Sequence, residues 1–147
     1  MSADALLLAN LAATLFLTGL VWYIQVVHLP LFRKIEGAGF IEYAREQRRR
    51  NTLLMAVPMA VEFVTVIWLG LTLADGWLRS RLLQTLAPLG IAWIVTLNFY
   101  MPQYRRLLGG FNEAVIRSLI RTNWVRTTCW TVRAGMMMWI VEERLRI

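Results

Sequence analysis

The sequence predicts an all-α fold, an integral membrane four-helix bundle, on three observations. Of 147 residues, 58% are hydrophobic and the mean hydropathy is +0.51, above the roughly 45–50% apolar share of soluble domains. Four apolar blocks approach the ~20 residues that cross a bilayer as a helix. Lysine and arginine gather in two of the three connections between those blocks, the bias that sets topology in membrane proteins. A soluble chain this short could not cover so much apolar surface, so lipid is the expected solvent.

The first block carries no formal charge from Ala5 to Phe32, and no Lys or Arg precedes it. It therefore reads as a retained span, residues 5–29, because a signal peptide needs a basic start and a shorter apolar core. The second span, 52–73, is interrupted only by Glu62, and the third, 83–101, has no charge. The fourth, 123–141, holds Arg126 and Arg133. No linker or low-complexity tract separates them, so residues 1–147 form one transmembrane domain.

Orientation follows from the connections. Arg33, Lys34, Arg45, Arg48, Arg49 and Arg50 lie around residues 34–51, and Arg105, Arg106, Arg117 and Arg121 lie in 104–122. The middle connection has only Arg79 and Arg81. The first and third connections should face the cytoplasm of a bacterial inner (plasma) membrane, with both termini outside. Both look amphipathic. After Gly109 and Gly110 and a capping Asn112, the residues Phe111, Val115, Ile116, Leu119 and Ile120 share one side at helical spacing. Such a segment lies on the membrane surface or runs straight into the fourth span. The net charge of +7 thus reads as loop topology and headgroup anchoring, and no nucleic-acid partner is expected. A single cysteine, Cys129, excludes an intrachain disulfide and a multi-cysteine metal site.

Ionisable groups inside spans cost about 2.5–3.5 kcal/mol each at the helix centre on insertion scales, so they turn inward and pair. Asn123, Arg126, Trp130 and Arg133 fall within about 80° of one another at about 100° per residue, on one face. Glu62 is ten residues past Thr52 and Arg133 ten past Asn123, on helices entering from the same side. Both reach about 15 Å depth, and a buried ion pair is expected. Trp22, Gln25 and His28 recur every three residues in the first span, and Asn98 belongs to the same inner layer.

These groups suggest a two-tier polar site. His28, Gln25, Asn98, Asn123 and Arg126 would form a cytoplasmic mouth, with Glu62 and Arg133 deeper and Trp22 and Trp130 as walls. Chemically it suits a planar, weakly acidic organic molecule. Arg126 and Arg133 would stabilise a phenolate or enolate, and His28 would accept a proton. Trp22, Gln25, Glu62, Asn98, Asn123 and Trp130 would bind the ligand. One histidine excludes bis-histidine haem ligation, and His28 with Glu62 is too small a set for zinc. No cofactor or metal is expected.

The stretches "QVVHLPLF", "MPQYRRLLGGF" and "TNWVRTTCWTVRAG" resemble a group of small four-span bacterial membrane proteins similar to the anthrone oxygenase-like family. The most specific element is the pattern Asn123, Trp124, Arg126, Thr127, Trp130, Thr131, Arg133, and His28 matches the histidine near the end of the first span. The resemblance implies a four-span fold and a cofactor-independent oxygenase acting on an anthrone- or quinone-like compound. Where the family pattern carries a histidine soon after the proline that ends the third span, this chain has Pro102, Gln103 and Tyr104.

The first functional reading is thus a polar intramembrane pocket for a small aromatic or quinone-like ligand. The competing reading is a non-catalytic accessory or structural subunit of a larger membrane complex, or a homo-oligomer, with the polar residues fixing helix packing.

Overall fold

A computed structural model describes residues 2–35, 37 and 39–146. Among these residues all regular structure is helical. Three long helices, α1 (Ala3–Phe32), α2 (Phe40–Thr72) and α3 (Gly76–Leu107), precede α4 (Glu113–Leu145). The first three have apolar windows with mean hydropathies of 1.9, 2.0 and 1.5 and are long and apolar enough to cross a membrane.

Local signals set the boundaries. The Ser2 hydroxyl caps α1 by accepting from the Ala5 amide, and Asp75 caps α3 by accepting from Trp77 and Leu78. The Asn112 side chain accepts from the Val115 amide at 3.1 Å, which satisfies one of the orphan donors at the start of α4. Gly110, at φ 138, makes the turn between α3 and α4 in a conformation that a side chain would strain. The amphipathic connections are not separate surface helices. Residues 40–51 are the first turns of α2, and the segment after Asn112 runs directly into α4.

Two π-helical turns interrupt the α geometry, Ile24–His28 in α1 and Thr96–Tyr100 in α3. Each precedes a proline, Pro30 or Pro102, whose missing N–H and ring clash disturb the turn before it.

The helices pack in the order α2, α1, α4, α3, and α2 meets α3 mainly near the α3 start, Gly76–Gln84. Towards the other end their backbones part, and side chains bridge the gap, Phe63 against Trp93 and Tyr104 to Ala44 and Gln47. Three apolar layers hold the bundle. Leu7, Leu69, Leu82 and Ile140 pack near the termini, Leu17, Val21, Ala92 and Trp130 pack midway, and Phe32, Phe40, Leu107 and Leu119 pack at the opposite end. The outer surface is also apolar: Phe16, Val57, Trp68, Leu71, Ile94 and Val132 are exposed. Polar and charged side chains, by contrast, are enclosed: Asn10, Glu62, Asn123, Arg126 and Arg133 are all at most 2% exposed. Apolar outside and polar inside is the arrangement that suits a lipid environment.

Candidate functional site in the bundle interior

The deeper tier is an ion pair. Arg133 Nε donates to Glu62 Oε1 at 2.8 Å, and both side chains are fully buried. All four helices contribute to the network around the pair. Arg133 Nη1 donates to the Thr85 carbonyl at 2.9 Å and to its hydroxyl at 2.7 Å, and Nη2 donates to Asn10 Oδ1 at 3.1 Å. The Thr14 hydroxyl donates to Glu62 Oε1 at 2.7 Å, and Trp130 Nε1 approaches Oε2 at 3.4 Å. Asn10 Nδ2 donates to the Glu62 carbonyl and to Thr65 Oγ1, both at 2.8 Å. Buried charges in so low a dielectric persist only when paired and hydrogen-bonded, and here both are. Neither Glu62 nor Arg133 lines either of the two cavities described below. The pair is a lock between helices, with four hydrogen bonds from the guanidinium.

The upper tier centres on Arg126. Its Nη1 donates to Asn123 Oδ1 at 2.7 Å, and Asn123 Nδ2 donates to Gln25 Oε1 at 2.8 Å. Gln25 and Asn123 thus hold the arginine from behind. The guanidinium carbon lies 4.1 Å from the Tyr100 ring centroid and 5.5 Å from that of Trp130, within cation–π range. Its Nε is buried without a partner.

Arg126 lines a cavity of about 380 Å³ where α2 and α3 part. The walls are aromatic and thioether surface, including Met55, Met59, Phe63, Trp93 and Tyr100. Trp93 Nε1 is a second buried donor without a partner. Gln47, Arg48 and Asn51 line the polar end, where the Tyr104 hydroxyl donates to Gln47 Oε1. No acidic residue is among the described lining residues, so the cavity offers donors and positive charge to whatever fills it.

Other expected members of the mouth lie elsewhere. His28 is 7% exposed with Nε2 unpartnered, and it lines a neighbouring cavity of about 320 Å³ with Tyr43, Glu46 and Arg50, which shares Gln47 and Asn51 with the larger one. The i→i+5 turn at Ile24–His28 carries it off the face that a regular α-helix would give it beside Gln25. Asn98 is exposed and donates back to the Ile94 carbonyl at 3.0 Å. Trp22 is 40% exposed, with its Nε1 donating to Thr131 Oγ1 at 3.0 Å and its ring edge-on to Trp124. Of the expected residues Arg126 lines the larger cavity, with Gln25, Asn123 and Trp130 arranged around it, His28 lines the adjoining one, and Asn98 and Trp22 line neither.

Sequence reasoning did not include Asn10, Thr14, Thr85, Gln47 and Trp93. Asn10 and Thr14 carry a faint signal, since they are one helical turn apart on an otherwise apolar span, and Thr85 carries none. Gln47 and Trp93 carry none, because they belong to the cavity only through the way α2 and α3 diverge.

Set against protein-family models, curated proteins and solved structures, the chain matches none of them. Its fold and interior define a class: an all-helical chain with three helices able to cross a membrane, a closed ion-pair lock and a donor-lined cavity beside it.

Proposed function

We propose that the chain is a four-span protein of the bacterial inner membrane, with both termini outside, and that its α2–α3 cavity binds a small aromatic, quinone-like molecule. The observation that carries this reading is the buried Arg126 guanidinium, hydrogen-bonded to Asn123, on the wall of an aromatic, methionine-rich cavity. Buried donors left unsatisfied cost about 1–3 kcal/mol each, and a ligand oxygen accepting from the guanidinium recovers part of that cost. Aromatic walls favour a ring, and the absence of lining carboxylates favours an acceptor or acidic oxygen over a cation.

A fourth crossing by α4 is supported by where its polar side chains go. Asn123, Arg126 and Arg133 are enclosed by the bundle, while Trp124, Val125, Val132 and Met138 are exposed. The helix is polar towards its partners and apolar outward, so its low hydropathy is no barrier to lipid contact. Cation–π contacts of Arg81 with Trp77 and Trp139 at one end, and the arginines of 45–50 at the other, suit the two interfacial belts.

Oxygenation, as the resemblance implies, asks for a base at the substrate carbon, and His28 opens on the other cavity. The proposal is therefore binding. The accessory-subunit reading is favoured by one observation, the Glu62–Arg133 lock, which ties the four helices together away from both cavities. Mass spectrometry of organic extracts from protein purified in mild detergent separates the two. A stoichiometric aromatic compound that is lost in Arg126→Gln supports the pocket. Stoichiometric partner subunits with no such compound would overturn it.

A further inference from the structure

The large cavity is long and has two unlike ends. Along α2 its lining runs from Gln47 to Phe63, about 24 Å at about 1.5 Å per residue. Along the antiparallel α3 it runs from Tyr104 back to Trp93, about 16 Å. One end holds Gln47, Arg48, Asn51, Tyr104 and Arg126. The other, reached by Met55, Ala56, Met59, Ala60, Phe63 and Leu97, is apolar apart from the indole N–H of Trp93 and the Thr96 hydroxyl, which donates back to the Ala92 carbonyl. A volume of about 380 Å³ spread over such a length makes a narrow slot, longer than a two-ring head group. The polar end is also the end rich in basic residues, with Arg45, Arg49 and Arg50 on the adjoining turns of α2.

Resting on the binding reading above, we infer that the occupant is a single-tailed amphiphile. Its oxygen-bearing ring lies at Arg126 and Tyr100, and its hydrocarbon tail runs up the slot between α2 and α3 towards the bilayer centre. The chemical class is a prenylated quinone or quinol. The head takes the cation and the unpartnered N–H. The tail lies against methionine and alanine side chains, whose small or flexible surfaces leave room for a chain. The slot is open to the outside at Ala60, Phe63 and Leu97, which are exposed, so such a molecule enters sideways from the bilayer, without crossing water. A tail gains little from burial when lipid is the alternative, so it acts on position and orientation more than on affinity.

The test uses the full chain in lipid nanodiscs with two probes: a tailless naphthoquinone, and the same head on an isoprenoid tail carrying a photoreactive diazirine. Tryptophan quenching reports head binding, and peptide mapping after photolysis reports where the tail lies. The expected label falls on the half-buried Met55 and Met59 in excess of the exposed Phe63 and Leu97, and Ala60→Trp lowers it at least fivefold while the tailless probe still quenches. Should Ala60→Trp not fold, Met59→Trp replaces it. Label spread over outward positions such as Val57 and Leu71, with no excess in the slot and saturable quenching by the tailless probe, sinks the tail assignment and leaves the binding reading standing. Absence of saturable quenching by either probe overturns both.

Discussion

Arg126 and Arg133 lie on one face of one helix, yet their environments assign them opposite tasks. Arg133 has its donors engaged by Glu62, Asn10 and Thr85, whereas Arg126 keeps a free Nε beside a cavity. Removing one partner of a buried pair strands the other charge, so Glu62→Gln should destabilise the fold by about 3–5 kcal/mol. Reversible unfolding in mixed micelles measures it, and adding Arg133→Gln should recover roughly half of the loss, since the stranded charge is then gone. A near-neutral Glu62→Gln would mean that the pair does not hold the bundle. His28→Phe, by contrast, should leave naphthoquinone binding within twofold of wild type, because the imidazole faces the smaller cavity. The ion pair was legible in the sequence because Glu62 and Arg133 share a depth along α-helical stretches without a π-helical turn. The position of His28 was not, because the extra residue in its π-helical turn leaves no mark on the apolar pattern.

At the scale of elements, α4 is the helix whose inward face was easiest to read. Asn123, Arg126, Trp130 and Arg133 project along one regular stripe, and all four are buried. The Thr96–Tyr100 turn had the opposite effect in α3: it leaves Asn98 exposed and brings Tyr100 under Arg126. Glu113 joins the end of α1 to the start of α4 through Arg33 and Arg117, each at 2.8 Å. The hydrogen bond from Arg33, and then the charge of Arg117, holds the Glu113 carboxyl below its usual pKa. A carboxylate with a depressed folded-state pKa stabilises the fold above its unfolded pKa, and that contribution fades as pH falls through the folded value. The gap in thermal midpoint between wild type and Glu113→Gln should therefore be present at neutral pH and close as the solution is acidified. A gap that does not change with pH would remove the contact from the energetics of the α1–α4 junction.

For the whole molecule, hydropathy and charge bias were enough to read an all-helical bundle with alternating short connections. They could not reveal that α2 and α3 touch near one end and separate towards the other, because both helices are apolar on nearly every face. Divergence of two apolar helices is a property of packing, set by what α1 and α4 place between them, and the cavity exists because of it. The binding reading depends on that cavity and on the under-satisfied guanidinium of Arg126 on its wall. A hydrogen bond from a charged donor is worth about 1.5–3 kcal/mol, about 10- to 150-fold in affinity at 1.4 kcal/mol per decade. The most direct test titrates a tailless naphthoquinone into the protein in nanodiscs and follows tryptophan fluorescence in wild type and Arg126→Gln. Binding at Arg126 predicts saturable quenching in the wild type and at least tenfold weaker binding in Arg126→Gln, with unchanged helicity. Equal quenching curves for the two proteins, saturable or linear, would contradict it.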